Sequence, residues 1–454
     1  MDLLIHYILP FFGMLIFLIV AHEAGHYFTA KLFGVKVLEA GIGYPPRAFG
    51  FTWRGTIYSV NYLPLGGFVR LLGEEDPTHP ESLAAQKAWK RLIILVSGAA
   101  VNFVLPVILF GIYFMIPQDV ATGPAVISLV MPDSPAAAAG LKNGDIVLAI
   151  DGESVKNTAD LAKEIRLRQG QTIEFLVKRK DSIQGSQQLE ISVLSRWDPE
   201  DTVHVVQSGE TSSSIARDLG IPRELVWGAA DIDSTLQVGQ VLALPTDSKT
   251  VTYTVRDTDS VETIARRFDI ESSVVREVAG LPDPDIVEPG TELRFNQGPT
   301  GISIGNLYSF TEKERFPIWE AIPKGAEATQ ESLILARNQV IAMFKGGQGP
   351  AVAGPTGIAQ GTGEVIKSNG WDSLLQFAAL LSINLAIINV LPLPMLDGGR
   401  MTFVLIEILR RGKRIAPEKE AIVHLVGLAL IITMAVAVTY VDIVRIIGGK
   451  SIFS

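Results

Sequence analysis

The sequence predicts an α-helical polytopic membrane protein with four transmembrane helices, a membrane-associated β hairpin or small sheet, and a soluble region between the second and third helices. The chain of 454 residues has 48% hydrophobic residues and a mean hydropathy of +0.30, which are high values for a soluble protein. Four apolar runs, at about residues 3–33, 92–117, 373–391 and 421–440, are each long enough to cross a bilayer.

The charge and composition exclude several classes of protein. The net charge is −9, yet residues 197–300 alone carry 19 acidic and 8 basic side chains, so the rest of the chain is slightly basic. No basic surface typical of nucleic-acid binding is evident, and we expect no nucleic-acid partner. The chain has no cysteine, which excludes disulfide scaffolds, thiolate metal sites and a cysteine nucleophile.

The first apolar run carries the motif H-E-x-x-H near its end, at residues 22–26. His22 and His26 are four residues apart, so on a helix their side chains share one face and can bind one zinc ion, Zn²⁺. Glu23 beside them can serve as general base for a water molecule at the metal. Ionisable side chains are costly in a membrane helix unless they face a polar cavity and bind something. The alternative is two stray histidines at a membrane boundary.

Lysine and arginine residues are concentrated in two connections, which gives the expected orientation. Eight lie from the end of the first run to the start of the second and six between the third and fourth, whereas the N-terminal tail has none and the C-terminal tail has two. We therefore expect both connections in the cytoplasm, and both termini and the long middle segment outside a bacterial cytoplasmic membrane. The H-E-x-x-H motif then lies toward the cytoplasmic side of the bilayer.

The first connection, residues 35–88, is expected to form a β hairpin or small sheet against the metal site. Residues 51–69 alternate aromatic and β-branched side chains and contain two turn signals. A sheet edge there could pair with an unfolded substrate segment by strand addition, with Gly66, Gly67 and Phe68 as candidate substrate-binding residues. A plain amphipathic connector is the alternative.

Residues 122–197 form a predicted soluble domain. Its strands are expected at residues 125–130, 146–150, 173–177 and 189–193, with a helix near residues 158–168. The stretch S-P-A-x-x-A-G-L-x-x-G-D at residues 134–145, followed by I-D-G, closely resembles bacterial PDZ domains. The resemblance implies a groove that binds peptide termini. Steric shielding of the membrane site is another role that the domain could have, and the two are compatible.

An internal repeat follows, with copies at residues 201–246 and 250–297. Each copy is predicted to run strand, helix, helix, strand, and each resembles a LysM module, a family that binds N-acetylglucosamine polymers such as peptidoglycan. The second copy departs from the family pattern, because residues 257–260 replace a glycine-containing turn. A pair of spacers is the alternative.

The region after the repeats, residues 300–370, is expected to hold an outer amphipathic helix and a loop. Residues 316–344 read mostly as an amphipathic helix near the outer membrane interface. The stretch G-P-T-G-I-A at residues 354–359 is expected to be a turn-rich loop.

A third metal ligand is needed, because zinc hydrolases use three protein ligands and keep one position open. Asp397 lies in N-x-x-P-x-P-x-L-D-G-G, which runs from Asn389 at the end of the third apolar run. The prolines interrupt that run, and a broken helix at membrane depth is tolerated where it lines a cavity. His424 is an alternative ligand by its depth, and a helix cap is the alternative role of Asp397.

These two motifs together resemble the site-2 protease family of zinc intramembrane proteases. The middle PDZ-like domain, the L-P-L-G-G-F-V stretch at residues 63–69 and G-P-T-G-I-A are similar to its bacterial RseP-type branch. The resemblance covers nearly the whole chain except residues 198–298. It implies zinc on His22, His26 and Asp397, Glu23 as general base, and Asn389 as a contact to the substrate backbone or oxyanion.

The resemblance implies regulated intramembrane proteolysis of single-pass membrane proteins, typically anti-sigma factors or signal-peptide remnants. A cell-wall-binding membrane scaffold with an idle metal site is the alternative, against which the intact Glu23 and Asp397 argue. A transporter is less well supported, because the four spans show no internal membrane repeat. We expect Asn102, Pro106 and Asn384 within the spans to be mainly structural.

The predicted segments are residues 1–34 (first transmembrane helix), 35–88 (membrane-associated β region), 89–117 (second transmembrane helix), 122–197 (PDZ domain), 201–246 and 250–297 (LysM-like modules), 300–370 (outer helix and loop), 371–400 (third transmembrane helix with the aspartate motif) and 420–447 (fourth transmembrane helix).

Overall fold

A computed structural model describes most of the chain. The residues that it does not describe are 1–2, 75, 182–184, 200, 231–238, 246–249, 257–260, 269, 282–286, 307, 309, 348–352, 449–450 and 452–454. The replaced turn of the second repeat, residues 257–260, therefore lies outside the described residues.

The secondary structure comprises a short π-helical segment at Leu3–Ile8, followed by helices and strands that we number in chain order. The helices are α1 (Leu9–Leu32), α2 (Ala88–Met115), α3 (Pro135–Ala139), α4 (Thr158–Leu167), α5 (Ser212–Leu219), α6 (Arg223–Ala229), α7 (Val261–Phe268), α8 (Ser272–Ala279), α9 (Ile318–Phe344), α10 (Pro355–Asn369), α11 (Ser373–Val390), α12 (Asp397–Leu409) and α13 (Pro417–Ile447). The strands are β1 (Val37–Trp53), β2 (Thr56–Leu71), β3 (Gln118–Thr122), β4 (Ala125–Val130), β5 (Ile146–Ile150), β6 (Glu153–Ser154), β7 (Thr172–Asp181), β8 (Gly185–Leu194), β9 (Asp201–Val205), β10 (Val241–Pro245), β11 (Thr250–Thr254), β12 (Glu292–Asn296), β13 (Ile302–Asn306) and β14 (Phe310–Glu314).

The chain divides into two compact units. The first, called here the membrane unit, comprises Met1–Val120, Glu312–Arg337 and Pro350–Ser454. The second, called here the inserted unit, comprises Ala121–Thr311 and Asn338–Gly349.

Four helices of the described chain are long and apolar enough to cross a membrane, which confirms the four predicted spans. They are α1 with its π-helical extension, α2, α11 and most of α13. Buried apolar side chains of α1, α2 and α11, among them Leu18, Phe110 and Ile383, form one core. The span of α13 is only 6% buried, so it presents most of its apolar surface outward, where lipid would cover it.

The connection between α1 and α2 folds into a small antiparallel sheet, which confirms the predicted β region. Both strands are bent, so that residues 39–42 of β1 pair on one side with residues 57–60 of β2 and on the other with residues 67–70. Residues 47–53 complete the sheet at the far side. The segment 67–71 is therefore an edge, and no described strand pairs with its outer side.

The inserted unit contains a sheet in the order β13-β4-β5-β7-β8, with β6 paired to β5. The bounds of β4 and β5 are those expected from the sequence, and α4 begins at the predicted residue. Ile127 and Phe175 of the sheet and Leu161 of α4 are fully buried in its core. The edge strand β13 was missed, because five residues that follow the repeats carry no periodic signal linking them to β4.

The two repeats exchange their closing strands, contrary to the prediction that each would close with its own. Strand β9 of the first repeat pairs with β12 of the second, while β10 pairs with β11. Both closing strands have the same alternation of exposed and buried residues, so either one can complete either core. Only four residues separate β10 from β11, and such a short connection favours an antiparallel hairpin.

The stretch G-P-T-G-I-A is the start of a helix, so the prediction of a turn-rich loop there is wrong. Helix α10 begins at Pro355, a residue that fits the first helical turn because it needs no N–H there. A carboxylate accepts from backbone N–H groups at the start of this helix. Asp442 of α13 accepts hydrogen bonds from the backbone N–H groups of Gly354 and Gly357 at 2.8 and 2.9 Å. The predicted amphipathic helix is α9, and it is confirmed.

Candidate metal centre and active site

His22, His26 and Asp397 lie together in the membrane unit. The Nε2 atoms of His22 and His26 are 3.0 and 3.1 Å from Asp397 Oδ2, and 3.2 Å from each other. Both histidines are buried. Together with Asp397, the two histidines form the one group of three side chains among the described residues that could hold a metal ion. His424, the alternative third ligand, is not a member of this group.

The two histidines project from α1 onto the backbone of α2. A Cβ atom added at Gly98 of α2 would lie 2.4 Å from His26 Nε2 and 2.7 Å from His22 Nε2. One added at Gly25 of α1 would lie 2.5 Å from the Ser97 carbonyl oxygen. At distances under 3.0 Å the neighbouring atoms would have to shift, so glycine on both sides permits this close approach of the two helices.

The outer nitrogens of both rings are held by α2. His26 Nδ1 donates to the Ile94 carbonyl oxygen at 2.8 Å, which leaves Nε2 as the acceptor or ligand atom. His22 Nδ1 lies 3.1 Å from the amide nitrogen of Asn102, whose Oδ1 is buried without a partner. Turning this amide over places Oδ1 where it accepts from His22 Nδ1–H, and His22 Nε2 is then also free to bind a metal.

Asn102 therefore contacts a side chain of the site, which goes beyond the expectation that it is mainly structural. Asn102 is fully buried. Besides the contact of its side chain with His22, its backbone carbonyl oxygen accepts a hydrogen bond from the Ser382 hydroxyl at 3.0 Å. A signal was available in the sequence: an asparagine four residues after a glycine in an apolar span places a small residue and an amide on one helix face.

Asp397 reaches the histidines because the chain breaks between α11 and α12. Pro392 and Pro394 end the third span, and Met395 adopts a left-handed backbone with φ of 74°. Asp397 is the first residue of α12, where a carboxylate is favoured by the helix dipole.

A zinc ion fits these three side chains. Tetrahedral zinc with bonds of about 2.0–2.1 Å to nitrogen and oxygen separates its ligand atoms by about 3.3 Å. The observed separations of 3.0–3.2 Å form a nearly equilateral triangle of that size. The unsatisfied Asn102 oxygen and the glycine beside the rings are further features that metal-bound histidines account for.

Comparison with known proteins agrees with this geometry. Residues 10–434 match the model of peptidase family M50. The chain belongs to this family, the site-2 proteases. Zinc metalloprotease RasP of Oceanobacillus iheyensis is 25% identical over 96% of the chain and 97% of its own length. A Thermotoga maritima protein with a provisional zinc metalloprotease name is 26% identical over 95% of the chain and 97% of its own length.

This M50 peptidase is thus a membrane-embedded zinc metalloprotease of the site-2 type. Its Glu23 borders two cavities. One, of about 450 Å³, lies between α1 and the small sheet and is lined mainly by apolar and aromatic side chains, including Tyr27 and Phe51. The other, of about 510 Å³, also contains His26 and Asp397. Glu23 therefore lies between an apolar cavity and a cavity that His26 and Asp397 also line.

The predicted substrate-binding residues Gly67 and Phe68 lie beside Glu23. Both line the two cavities, and a Cβ added at Gly67 would lie 3.6 Å from Glu23 Cγ. The backbone N–H of Val69 donates to the Glu23 carboxylate. Gly66 precedes them with φ of 86°. Asn389 is buried in the last turn of α11, and it is not among the residues that line either cavity.

A buried carboxylate stabilises the sheet next to this site. Glu39 of β1 lies 2.5 Å from Arg47 and 3.0 Å from Arg70, and it borders the cavity that holds Asp397. Burial acts to raise the pKa of Glu39, but hydrogen bonds and the arginine charges outweigh it and hold that pKa below its usual value. Glu39 is therefore ionised and structural, whereas Glu23 has no arginine partner among the described contacts.

Proposed function

We propose that this peptidase cleaves membrane-spanning segments of single-pass membrane proteins, with zinc on His22, His26 and Asp397 and with Glu23 as general base. The observation that carries the proposal is the triangle of ligand atoms with 3.0–3.2 Å edges beside a glutamate that borders an apolar cavity. Anti-sigma factors and signal-peptide remnants are the proposed substrates.

Zinc at this centre supplies Lewis acidity, which polarises a peptide carbonyl and lowers the pKa of water. Glu23 takes a proton from the attacking water and returns it to the departing amide nitrogen. The N–H of Val69 orients the Glu23 carboxylate for both transfers. His26 and His22 keep their Nε2 atoms in place through Ile94 and Asn102.

The substrate must unwind before it is cut, because a helix hides its carbonyl groups in hydrogen bonds. We propose that the edge at residues 67–71 pairs with the unwound segment, replacing the hydrogen bonds that the segment loses. Two observations support this role: the edge has no strand partner among the described residues, and residues 67–69 line both cavities that Glu23 borders. The apolar cavity beside it would hold side chains of the segment.

Metal content and cleavage of a model membrane peptide, measured together on wild type and Glu23→Gln, test this function. The variant should bind one zinc per chain and cut at a rate at least about 100-fold lower, because the carboxylate is a base and not a ligand. A cleavage rate near that of wild type would refute the role of Glu23. Absence of zinc from a folded wild type would refute the metal site.

We also propose that the PDZ-like part of the inserted unit binds peptide termini. Its supporting feature is the edge strand β13, which pairs with β4 on one side and packs against α4. An open strand edge beside a helix suits strand addition by a peptide. Titration of the full-length protein with peptides that differ only in a free or amidated C-terminus tests this binding.

Weak binding of N-acetylglucosamine-containing glycan is proposed for the two repeats, on the outer face of a bacterial cytoplasmic membrane. In the first repeat the turn after β9 is well formed, with Gly209 at φ of 90° and Glu210 accepting from the Gln207 N–H at 2.7 Å. Leu129 and Met131 share a core with this repeat. Sedimentation of the full-length protein with purified peptidoglycan is therefore a better test than one on an excised fragment.

A further inference from the structure

His424 of α13 contacts the turn that carries Asp397. Only 12% of its side chain is exposed, and its Nδ1 accepts a hydrogen bond from the backbone N–H of Met395 at 3.0 Å. Met395 is two residues before Asp397. Helix α13, which otherwise buries little of its surface, thus contacts the turn before Asp397 through this imidazole.

The turn has few other means of keeping its shape. Pro392 and Pro394 have no N–H to donate, and the short bonds within the turn, from Leu393 to Leu391 and from Leu396 to Leu393, leave the Met395 N–H to His424. Met395 also has a φ of 74°, a left-handed backbone conformation that is unfavourable for a residue with a side chain. Such a conformation persists only when its surroundings hold it.

Besides Met395, two side chains contact His424. Its ring packs against Phe403 of α12, with ring centroids 5.5 Å apart, and its Nε2 lies 3.8 Å from Glu420. One turn further along α13, a Cβ added at Gly427 would lie 2.2 Å from Pro394, so glycine is needed for α13 to approach the turn. Because Nδ1 accepts, Nε2 carries the proton of the neutral ring and faces Glu420.

We propose that His424 is a positioning residue, which holds the turn at Met395 so that Asp397 Oδ2 stays within reach of both histidines. The inference rests on the proposed zinc site, and it assigns to His424 a role other than that of a ligand. The ring contributes no atom to the metal. It acts through one hydrogen bond to the backbone, two residues before the ligand.

Two amide substitutions separate this role from a general contribution to folding. The side-chain oxygen of His424→Asn reaches the place of Nδ1, whereas that of His424→Gln reaches the place of Nε2 and leaves the Met395 N–H without an acceptor. Zinc affinity of the full chain in detergent, measured by competition with a chelator, should fall about tenfold or more for Gln and at most about threefold for Asn. His424→Leu should behave as Gln does.

The same pair in an Asp397→Ala background shows whether His424 acts through the carboxylate. The difference between Asn and Gln should vanish there, because no aspartate remains to be positioned. Equal zinc affinity of the Asn and Gln variants, or a difference that persists in full without Asp397, would overturn the inference. Failure of the wild type to bind zinc would instead refute the metal site on which the inference rests.

Discussion

The substitution Gly98→Ala adds one methyl group at the point where α2 meets the two histidine rings. Its Cβ would lie 2.4 Å from His26 Nε2 and 2.7 Å from His22 Nε2. Ordinary contact begins at about 3.4 Å, so the rings or the helices must move apart by about 1 Å. Metal sites tolerate deviations of only about 0.2 Å in ligand distance. We therefore expect zinc affinity to fall at least about 100-fold, or about 2.8 kcal/mol.

Gly13→Ala is the matched control, because it makes the same change in another apolar membrane helix. A Cβ added at Gly13 meets no atom within 4 Å, so zinc affinity should stay within about threefold of wild type. Both variants are assayed by chelator competition in detergent, with the melting temperature recorded alongside. If Gly98→Ala binds zinc as tightly as Gly13→Ala, then the rings do not lie on the α2 backbone and the derivation of the site is wrong.

Three further predictions follow from the same structure. Asp397→Ala should weaken zinc binding by about 100-fold or more, because two histidines leave the metal short of a ligand; unchanged affinity would point to another third ligand. Asn102→Leu should weaken zinc binding about 10–100-fold while the chain stays folded, since it removes the group that orients His22. In this cysteine-free chain, oxidation should crosslink Val203→Cys/Arg294→Cys and not Val203→Cys/Ala243→Cys, as shown by gel mobility, and the reverse result would refute the strand exchange.

The spans and the three metal-binding side chains could be predicted because each rests on a local pattern. A run of apolar residues of bilayer length needs no tertiary information, and residues 3–32 and 88–115 are helical as expected. His22 and His26 are brought together by helical spacing alone. Asp397 is 371 residues from His26, and it was predicted from the proline-interrupted end of the third span together with the family resemblance.

The strand exchange between the repeats could not be predicted from the sequence, because the repeats are locally equivalent. Strands β10 and β12 present the same alternating face, so a pattern cannot tell which core each one enters. The choice depends on the length of the connection between β10 and β11 and on the contacts of the first core with Leu129 and Met131. The length of that connection is visible in the sequence, whereas the contacts of the first core are a tertiary fact. The edge strand β13 was not predicted either, because its partner strand β4 lies more than 170 residues earlier in the chain.

The metal centre is better described as a product of two helix faces than of one motif. Ile94, Gly98 and Asn102 recur at intervals of four along α2, and on an antiparallel neighbour they meet His26 and His22 in turn. The first supplies a carbonyl acceptor, the second supplies space and the third supplies an amide. A chain with H-E-x-x-H alone would have two histidines but nothing to fix their tautomers or admit their rings. Three residues of α2 that belong to no recognised sequence motif therefore decide whether the histidines of α1 can bind zinc.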